Sequence, residues 1–345
     1  MTRRNVISIT VVIAALILFV VGFLTYHQAF ESNVNPEKKA YELFIRKSMR
    51  LNDVVDSLVI KQIIIHSNHF ARISAFMGYN DQTIKEGRYL IKPGMSNYKI
   101  ISKLRSGAQD PVKVTINNVR DIYELSGQIS SYLILDSLFL VEKLTDSLYL
   151  QNIGYSKENI LTLFIPNTYE IYWNLSFEKF MQRMEIEHKK FWNANGRLEK
   201  SKNLNLDTKQ VYTLASIVEK ETNYEPERPI IAGVYLNRLK INMKLQADPT
   251  VVFALGVKGL QRVLLEHLNY PSPYNTYLVE GLPPGPIYMP TLNSIDAVLN
   301  ADQHDYIFFC AKEGYEGRHE FASTLKQHSI NAHQYQKWLN KERIR

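Results

Sequence analysis

Gln210-Val211-Tyr212-Thr213-Leu214-Ala215-Ser216-Ile217-Val218-Glu219-Lys220-Glu221-Thr222-Asn223 is the run whose reading decides how the C-terminal half of this 345-residue chain is built. At about 100° per residue, Val211, Leu214, Ala215, Ile217 and Val218 fall on one apolar face, so the spacing predicts an amphipathic helix. Glu221 then lies roughly 50° from the centre of that face, Glu219 roughly 110° away, and Lys220 nearly opposite. Of the two carboxylates, Glu221 is the one set against apolar packing. A carboxyl in that setting resists ionisation, its pKa rises, and it can hold a proton for donation near neutral pH. Taken alone, Glu219-Lys220-Glu221 suits a solvated helix end equally well, because Glu and Lys are common helix formers.

Downstream of this run come Asn237-Arg238-Leu239, Leu245-Gln246-Ala247-Asp248-Pro249-Thr250, Ser272-Pro273-Tyr274-Asn275-Thr276-Tyr277 and Gly281-Leu282-Pro283-Pro284-Gly285-Pro286-Ile287. These segments combine fixed turns, amide and hydroxyl donors, and tyrosines. They suit a groove for a sugar polymer, or simply the shaping of irregular loops. Asp248, placed before Pro249, can cap a turn or orient a site. Residues 208–345 are therefore where chemistry is expected.

Upstream, 121–192 is mainly helical in pattern, interrupted at 164–169, and a polar stretch over 193–207 completes a connecting region spanning 118–207. Residues 41–117 read as a small mixed α/β module. Strands are expected over 41–47, 87–91 and 112–116, with helical spacing over 51–60 and 69–77. A turn is expected at Lys92-Pro93-Gly94. Ser96 can then N-cap a helix that runs to about Arg105 and ends at Gly107. Residues 28–40, with Asn33, Asn35 and Pro36, read as a polar linker.

From Val6 to Tyr26 no side chain is charged, and Val, Ile, Leu and Phe dominate. About 20 such residues cross the hydrocarbon core as a helix. Residues 5–27 are thus expected as an uncleaved transmembrane anchor. Arg3 and Arg4 keep the short tail 1–4 in the cytoplasm, with the bulk of the chain outside the cytoplasmic membrane. A cleaved signal peptide is the competing reading. Its apolar core would be shorter, roughly 7–15 residues, and Tyr26-His27-Gln28-Ala29-Phe30 offers no small-residue cleavage site.

Hydrophobic residues make up 45% and charged residues 22%, an ordinary globular composition. The net charge of +7 is scattered rather than concentrated, which argues against a nucleic-acid partner and for weak attraction to anionic surfaces. Cys310 is the only cysteine, so an intrachain disulfide and a cysteine-rich metal site are both excluded. In the run Tyr306-Ile307-Phe308-Phe309-Cys310 it reads as a buried small hydrophobe. The spacing of His319 and His328 fits no standard zinc site, and no metal or other cofactor is expected.

Taken together, Ala215-Ser216-Ile217-Val218-Glu219-Lys220-Glu221-Thr222, Asn237-Arg238-Leu239, Leu245-Gln246-Ala247-Asp248-Pro249-Thr250-Val251, Tyr274-Asn275-Thr276-Tyr277, the segment from Gly281 to Ile287, His319, Phe321 and His328 closely resemble the YceG-like (MltG) family of endolytic murein transglycosylases. Weaker similarity reaches Pro166-Asn167-Thr168-Tyr169, Lys85-Glu86-Gly87-Arg88-Tyr89 and Lys92-Pro93-Gly94-Met95-Ser96, so it covers nearly everything after the apolar run. Ala247 stands where the family often has Ser or Thr, and the segment between Gly256 and Pro271 is short.

The resemblance implies an α+β chain: an N-terminal transmembrane helix, a LysM-like small α/β module, and a mixed α+β catalytic region over 208–345. It implies that Glu221 is the catalytic residue. Glu219, Asn237, Arg238, Gln246, Asp248, Thr250, Tyr274, Asn275, Thr276, Tyr277 and His319 would bind or orient the substrate. The implied partners are peptidoglycan glycan strands, the cytoplasmic membrane and peptidoglycan synthases.

The implied chemistry fits one carboxylate. Ordinary glycosidases need two, about 5–5.5 Å or 6.5–9.5 Å apart, and Glu219 and Glu221 diverge on a helix. A lytic transglycosylase needs only one. It protonates the oxygen between N-acetylmuramic acid and N-acetylglucosamine, then takes the proton of the muramoyl 6-hydroxyl as that group closes onto C1. Two alternatives remain open: a hydrolase using Asp248 as second carboxylate, and a membrane-tethered wall-binding scaffold without catalysis.

Overall fold

The structure, a computed structural model, describes residues 3–257, 260, 263–314 and 317–342. The chain is mixed α+β and divides into two compact units. The first runs to Lys113 and takes in Tyr132–Ile134 and Glu170–Leu175; the second is the remainder.

The first unit begins with α1 (Arg3–Phe30), a single long helix whose span Ile7–Phe30 is long and apolar enough to cross a membrane and is not buried. It continues through β1 (Tyr41–Ile45), α2 (Leu51–Ile60), α3 (Ser67–Phe76), β2 (Gly87–Ile91) and α4 (Asn97–Ser106). β1 and β2 pair antiparallel, with Tyr41 opposite Ile91 and Ile45 opposite Gly87. The strands alternate, so Leu43 and Ile45 face inward with Tyr89 and Ile91, and meet Val54, Leu58, Phe70, Ile73, Ile100 and Leu104 from the helices. α4 starts on the Ser96 hydroxyl, which accepts from Lys99 N at 3.3 Å, and ends at Gly107 with φ 75°.

The stretch over 28–40 is not a free polar linker. α1 continues to Phe30, Ala29 and Val34 belong to the core of the first unit, and Asn33 is buried. The sequence misleads here because Asn33 is polar yet well partnered. Its amide nitrogen donates to Asn97 Oδ1 (2.7 Å) and His66 O (3.1 Å), and its amide oxygen accepts from His66 N (2.7 Å).

β3 (Val112–Ile116) leads into the second unit, which holds α5 (Ile122–Ser130), α6 (Ser137–Thr145), α7 (Ser147–Asn152), the first three residues of β4 (Asn167–Ile171), α8 (Phe177–Asn193) and α9 (Arg197–Asn203). α10 (Thr208–Glu221), α11 (Arg228–Lys240), α12 (Asp248–Leu255), α13 (Leu292–Leu299), β5 (Phe308–Ala311), β6 (His319–Ala322) and α14 (Leu325–Lys341) follow. Short polar side chains open most of these helices: Asp121, Asp136, Asp146, Ser176, Asp207, Thr291 and Thr324 each accept from a backbone N–H of the first turn. β5 and β6 form an antiparallel ribbon that brings Ala311 opposite His319. Cys310, in β5, is half-buried rather than fully enclosed.

α10 departs from the amphipathic expectation. All residues from Val211 to Val218 are buried, including Tyr212, Thr213 and Ser216 on the side expected to be polar. α11, α12 and α13 pack around it, so it is the central helix of the unit. Its polar groups are satisfied within the core. Tyr212 donates to Phe164 O at 3.0 Å, and Ser216 donates to Thr213 O at 2.6 Å while accepting from Ile287 N at 3.1 Å. That last contact ties the Pro-rich loop to the helix. The loop needs Gly285, because a Cβ there would meet Glu158 O at 1.9 Å.

Candidate active site

Glu221 is the last helical residue of α10, and Thr222 leaves the helix in an extended conformation. The expected helix therefore stops two residues early, and Glu221 stands at its C-terminal edge beside a cavity. There its carboxyl accepts from Tyr235 Oη at 2.5 Å. Tyr235 is buried on α11, with its ring edge against Phe309. Glu221 itself is half-buried.

Burial drives the pKa of Glu221 up to about 7, with the Asp248 charge pushing the same way; the Tyr235 hydrogen bond and the Arg238 charge oppose this without cancelling it. Its position at the negative end of α10 also disfavours the carboxylate. Near neutral pH such a group is present in both forms, as an acid that later serves as a base requires.

Two cavities meet at Glu221. One, of about 800 Å³, also includes Arg120, Lys220, Asp248, Phe253, Ile287 and Tyr288. The other, of about 450 Å³, includes Thr222, Asn223, His319, Tyr335 and Trp338. A further cavity of about 810 Å³, lined by Asn205, Asn237, Pro283 and His304 among others, does not include Glu221.

The motif residues around Glu221 divide by what they touch. Asp248 is exposed at the start of α12, faces the 800 Å³ cavity, and accepts from Tyr277 Oη at 2.6 Å. Behind it, Thr250 and Thr276 are buried with their hydroxyls 2.8 Å apart. Thr276 Oγ1 also accepts from Ala247 N at 3.0 Å, and Thr276 O accepts from Gln246 N at 3.0 Å. Gln246 is exposed and held at φ 47°. Asn275 is buried, donating to Leu268 O (2.9 Å) and Tyr270 O (2.8 Å). Tyr274 packs against Phe253, with ring centroids 4.7 Å apart. These residues fix a turn and a loop that present Asp248 and Tyr277.

The remaining motif residues make their hydrogen bonds within the protein. Glu219 Oε2 accepts from Thr291 N (2.6 Å), Thr291 Oγ1 (2.7 Å) and Ser294 Oγ (2.8 Å), clamping the N-terminus of α13. Asn237 donates to His304 O and Tyr306 O. Arg238 donates to Ile307 O and Leu245 O, both at 2.6 Å, and reaches Glu221 through its charge. His319 lines the smaller cavity, with its Nδ1 2.8 Å from Oε2 of buried Glu227. His328 stacks on Phe308.

The YceG-like family pattern matches residues 43–334. The chain belongs to the YceG-like family. It is 29% identical over 322 residues to an endolytic murein transglycosylase of Bacillus subtilis, a match covering 88% of this chain and 84% of that protein. It is 27% identical over 365 residues to one of Streptococcus pneumoniae, which covers 95% of this chain and 64% of the streptococcal length. A 2.6 Å crystal structure of a YceG-like protein from Listeria monocytogenes superposes with a TM-score of 0.53 at 26% identity, covering 85% of this chain and 99% of that one.

Within this YceG-like chain, the sequence reading misses Tyr235. The available signal is its position: Ile231, Tyr235 and Arg238 share a face of α11 at helical spacing, and a tyrosine in such a row needs a partner for its hydroxyl. Glu227 is missed as well. It precedes α11 and, although a glutamate, is buried because His319 meets it from β6.

Proposed function

We propose that this chain is a membrane-anchored endolytic peptidoglycan lytic transglycosylase with Glu221 as its single acid/base. The observation that carries this is a carboxyl with pKa raised to about 7 at the junction of two cavities. Cutting inside a strand requires sugars on both sides of the bond, and the two cavities offer room for both. Protonated Glu221 gives its proton to the oxygen between N-acetylmuramic acid and N-acetylglucosamine as the C1–O bond breaks. The resulting carboxylate takes the proton of the muramoyl 6-hydroxyl, whose oxygen bonds to C1 and leaves a 1,6-anhydro end. The proton returns to Glu221, so no water is consumed. Gln246, Asp248, Tyr274 and Tyr277 line or shape the sugar-binding side.

In this reading α1 spans the cytoplasmic membrane with its N-terminus inside. The β1-α2-α3-β2 order with its antiparallel pair supports a LysM-like, glycan-contacting role for the first unit. Such an enzyme would act on new strands close to the synthases that make them.

Mass spectrometry of glycan strands treated with wild type and with Glu221→Gln tests the reading. Anhydro ends from wild type and none from the variant are expected. Reducing ends would replace it with hydrolysis, for which Asp248, in the same cavity as Glu221, is the available second carboxylate. Equal inactivity of both proteins with strand binding intact would favour a scaffold.

A further inference from the structure

The junction between α1 and the rest of the first unit is built as a rigid joint. Gln28 O, in the last turn of α1, accepts from the buried Asn97 side chain at 2.9 Å, and Asn97 Oδ1 accepts from Asn33 at 2.7 Å. Asn33 N and Val34 N both donate to Met95 O, and Ile65 N donates to Asn33 O at 2.9 Å. Ala29, on the helix itself, is part of the hydrophobic core. The apolar helix thus enters the folded module through hydrogen-bonded, packed backbone rather than through a hinge.

At this joint three aromatic rings form a row. Tyr26 lies against Phe30 with centroids 4.8 Å apart, and Phe30 against Tyr98, at the start of α4, with centroids 4.9 Å apart. All three are exposed. A solvated row of this kind is costly in water, yet it sits at a defined depth. Counting about 20 residues from Ile7 to cross the hydrocarbon core ends at Tyr26. Phe30 follows one helical turn, about 6 Å, further out. That is the headgroup level, where amphipathic aromatic rings are favoured.

We propose that the Tyr26–Phe30–Tyr98 row is a lipid-contacting collar that seats the first unit on the outer surface of the bilayer. The collar holds α4 at headgroup depth, so the module cannot swing away from the membrane on a tether. This rests on the reading of α1 as a membrane span. Its occupant is phospholipid rather than a second copy of the chain, because Tyr26 and Phe30 continue, at helical spacing, the face on which the exposed Phe19 and Phe23 of the spanning helix lie.

The test uses the full chain carrying Cys310→Ala, reconstituted in phosphatidylcholine/phosphatidylglycerol bilayers, with single nitroxide labels introduced through Leu16→Cys, Tyr98→Cys and Asp56→Cys. Asp56 is exposed on α2 and is the solvent reference. The collision ratio of oxygen to a water-soluble nickel chelate reports depth. The expected order is Leu16 highest, Tyr98 several-fold above Asp56, and Asp56 lowest. A label at Tyr98 as open to the chelate as that at Asp56, while Leu16 is lipid-exposed, overturns the collar and leaves the span standing. A Tyr98 label shielded from both reagents also overturns it, in favour of a protein partner. A Leu16 label open to the chelate overturns the span itself, and the collar with it.

Discussion

Glu219 and Glu221 leave α10 two residues apart and enter opposite surroundings. Glu219 meets one backbone N–H and two hydroxyls at the start of α13, all donating to the same carboxylate oxygen. Glu221 meets the Tyr235 phenol, a nearby carboxylate and a cavity wall, and burial keeps it reluctant to ionise. The same side chain is a clamp in one place and, in the proposed mechanism, a proton carrier in the other. The difference lies in what surrounds each carboxylate, which is set by elements far away in sequence.

The largest effect expected from breaking this contrast is chemical. Glu221→Gln keeps the shape and removes the proton, and should lower glycan cleavage by about 10²–10⁴-fold or more, as general acid–base groups contribute on that scale. Product analysis over a time course measures it. Next comes stability. Glu219→Ala removes three hydrogen bonds to the carboxylate and leaves the buried Ser294 hydroxyl only its longer contact with Thr291 Oγ1, which should cost about 2–3 kcal/mol in denaturant unfolding. Cleavage per folded molecule should stay within a few-fold of wild type. If Glu219→Ala instead abolished cleavage in well-folded protein, the division of labour would be wrong.

The raised pKa of Glu221 also has a thermodynamic consequence. Its folded value is about 7 against an ordinary 4.5, so the native state holds the proton more tightly between those limits. The associated stability is fully present below about pH 4.5 and is lost as pH rises through about 7. Wild type should therefore lose about 3 kcal/mol more than Glu221→Gln between pH 4 and pH 8. Parallel urea melts at both pH values measure the difference, and an equal loss in the two proteins would remove the buried-acid reading.

Much of this fold is legible from local chemistry. The Ser96 cap, the Gly107 stop and the strands β2 and β3 depend on neighbours in sequence, and the structure matches those expectations; β1 ends at Ile45, two residues short of the expected strand. Local pattern fails where long-range partners decide. Asn33 reads as solvated but is enclosed by Asn97 and the backbone of His66. Thr213 and Ser216 read as a polar face but pack inside the unit because the 284–287 loop and α13 cover that side of α10. Helix geometry singles out Glu221 as one-sided, whereas its setting comes from the end of a helix buried on all sides over 211–218 and from Tyr235. Of the motif residues, Asn237, Thr250, Asn275 and Thr276 spend their hydrogen bonds on holding loops, a role that motif matching does not distinguish from binding sugar.

Tyr235 gives the smallest and most discriminating comparison. Its hydroxyl does for Glu221 what Thr291 and Ser294 do for Glu219, but with one hydrogen bond in place of three. Tyr235→Phe removes that donor and keeps the buried ring against Phe309. Because the hydrogen bond favours the carboxylate, its loss must raise the pKa of Glu221 further above 7. Cleavage requires the protonated acid first, so the alkaline limb of the pH–rate profile should move upward by about one pH unit, the worth of one hydrogen bond to a charged group. The maximal rate should fall only modestly. A purely structural role for Tyr235 would lower the rate at every pH and leave the limb where it was. A limb that moved downward would mean that the phenol stabilises the protonated acid instead, and that Glu221 owes its reluctance to ionise to Tyr235 as well as to burial.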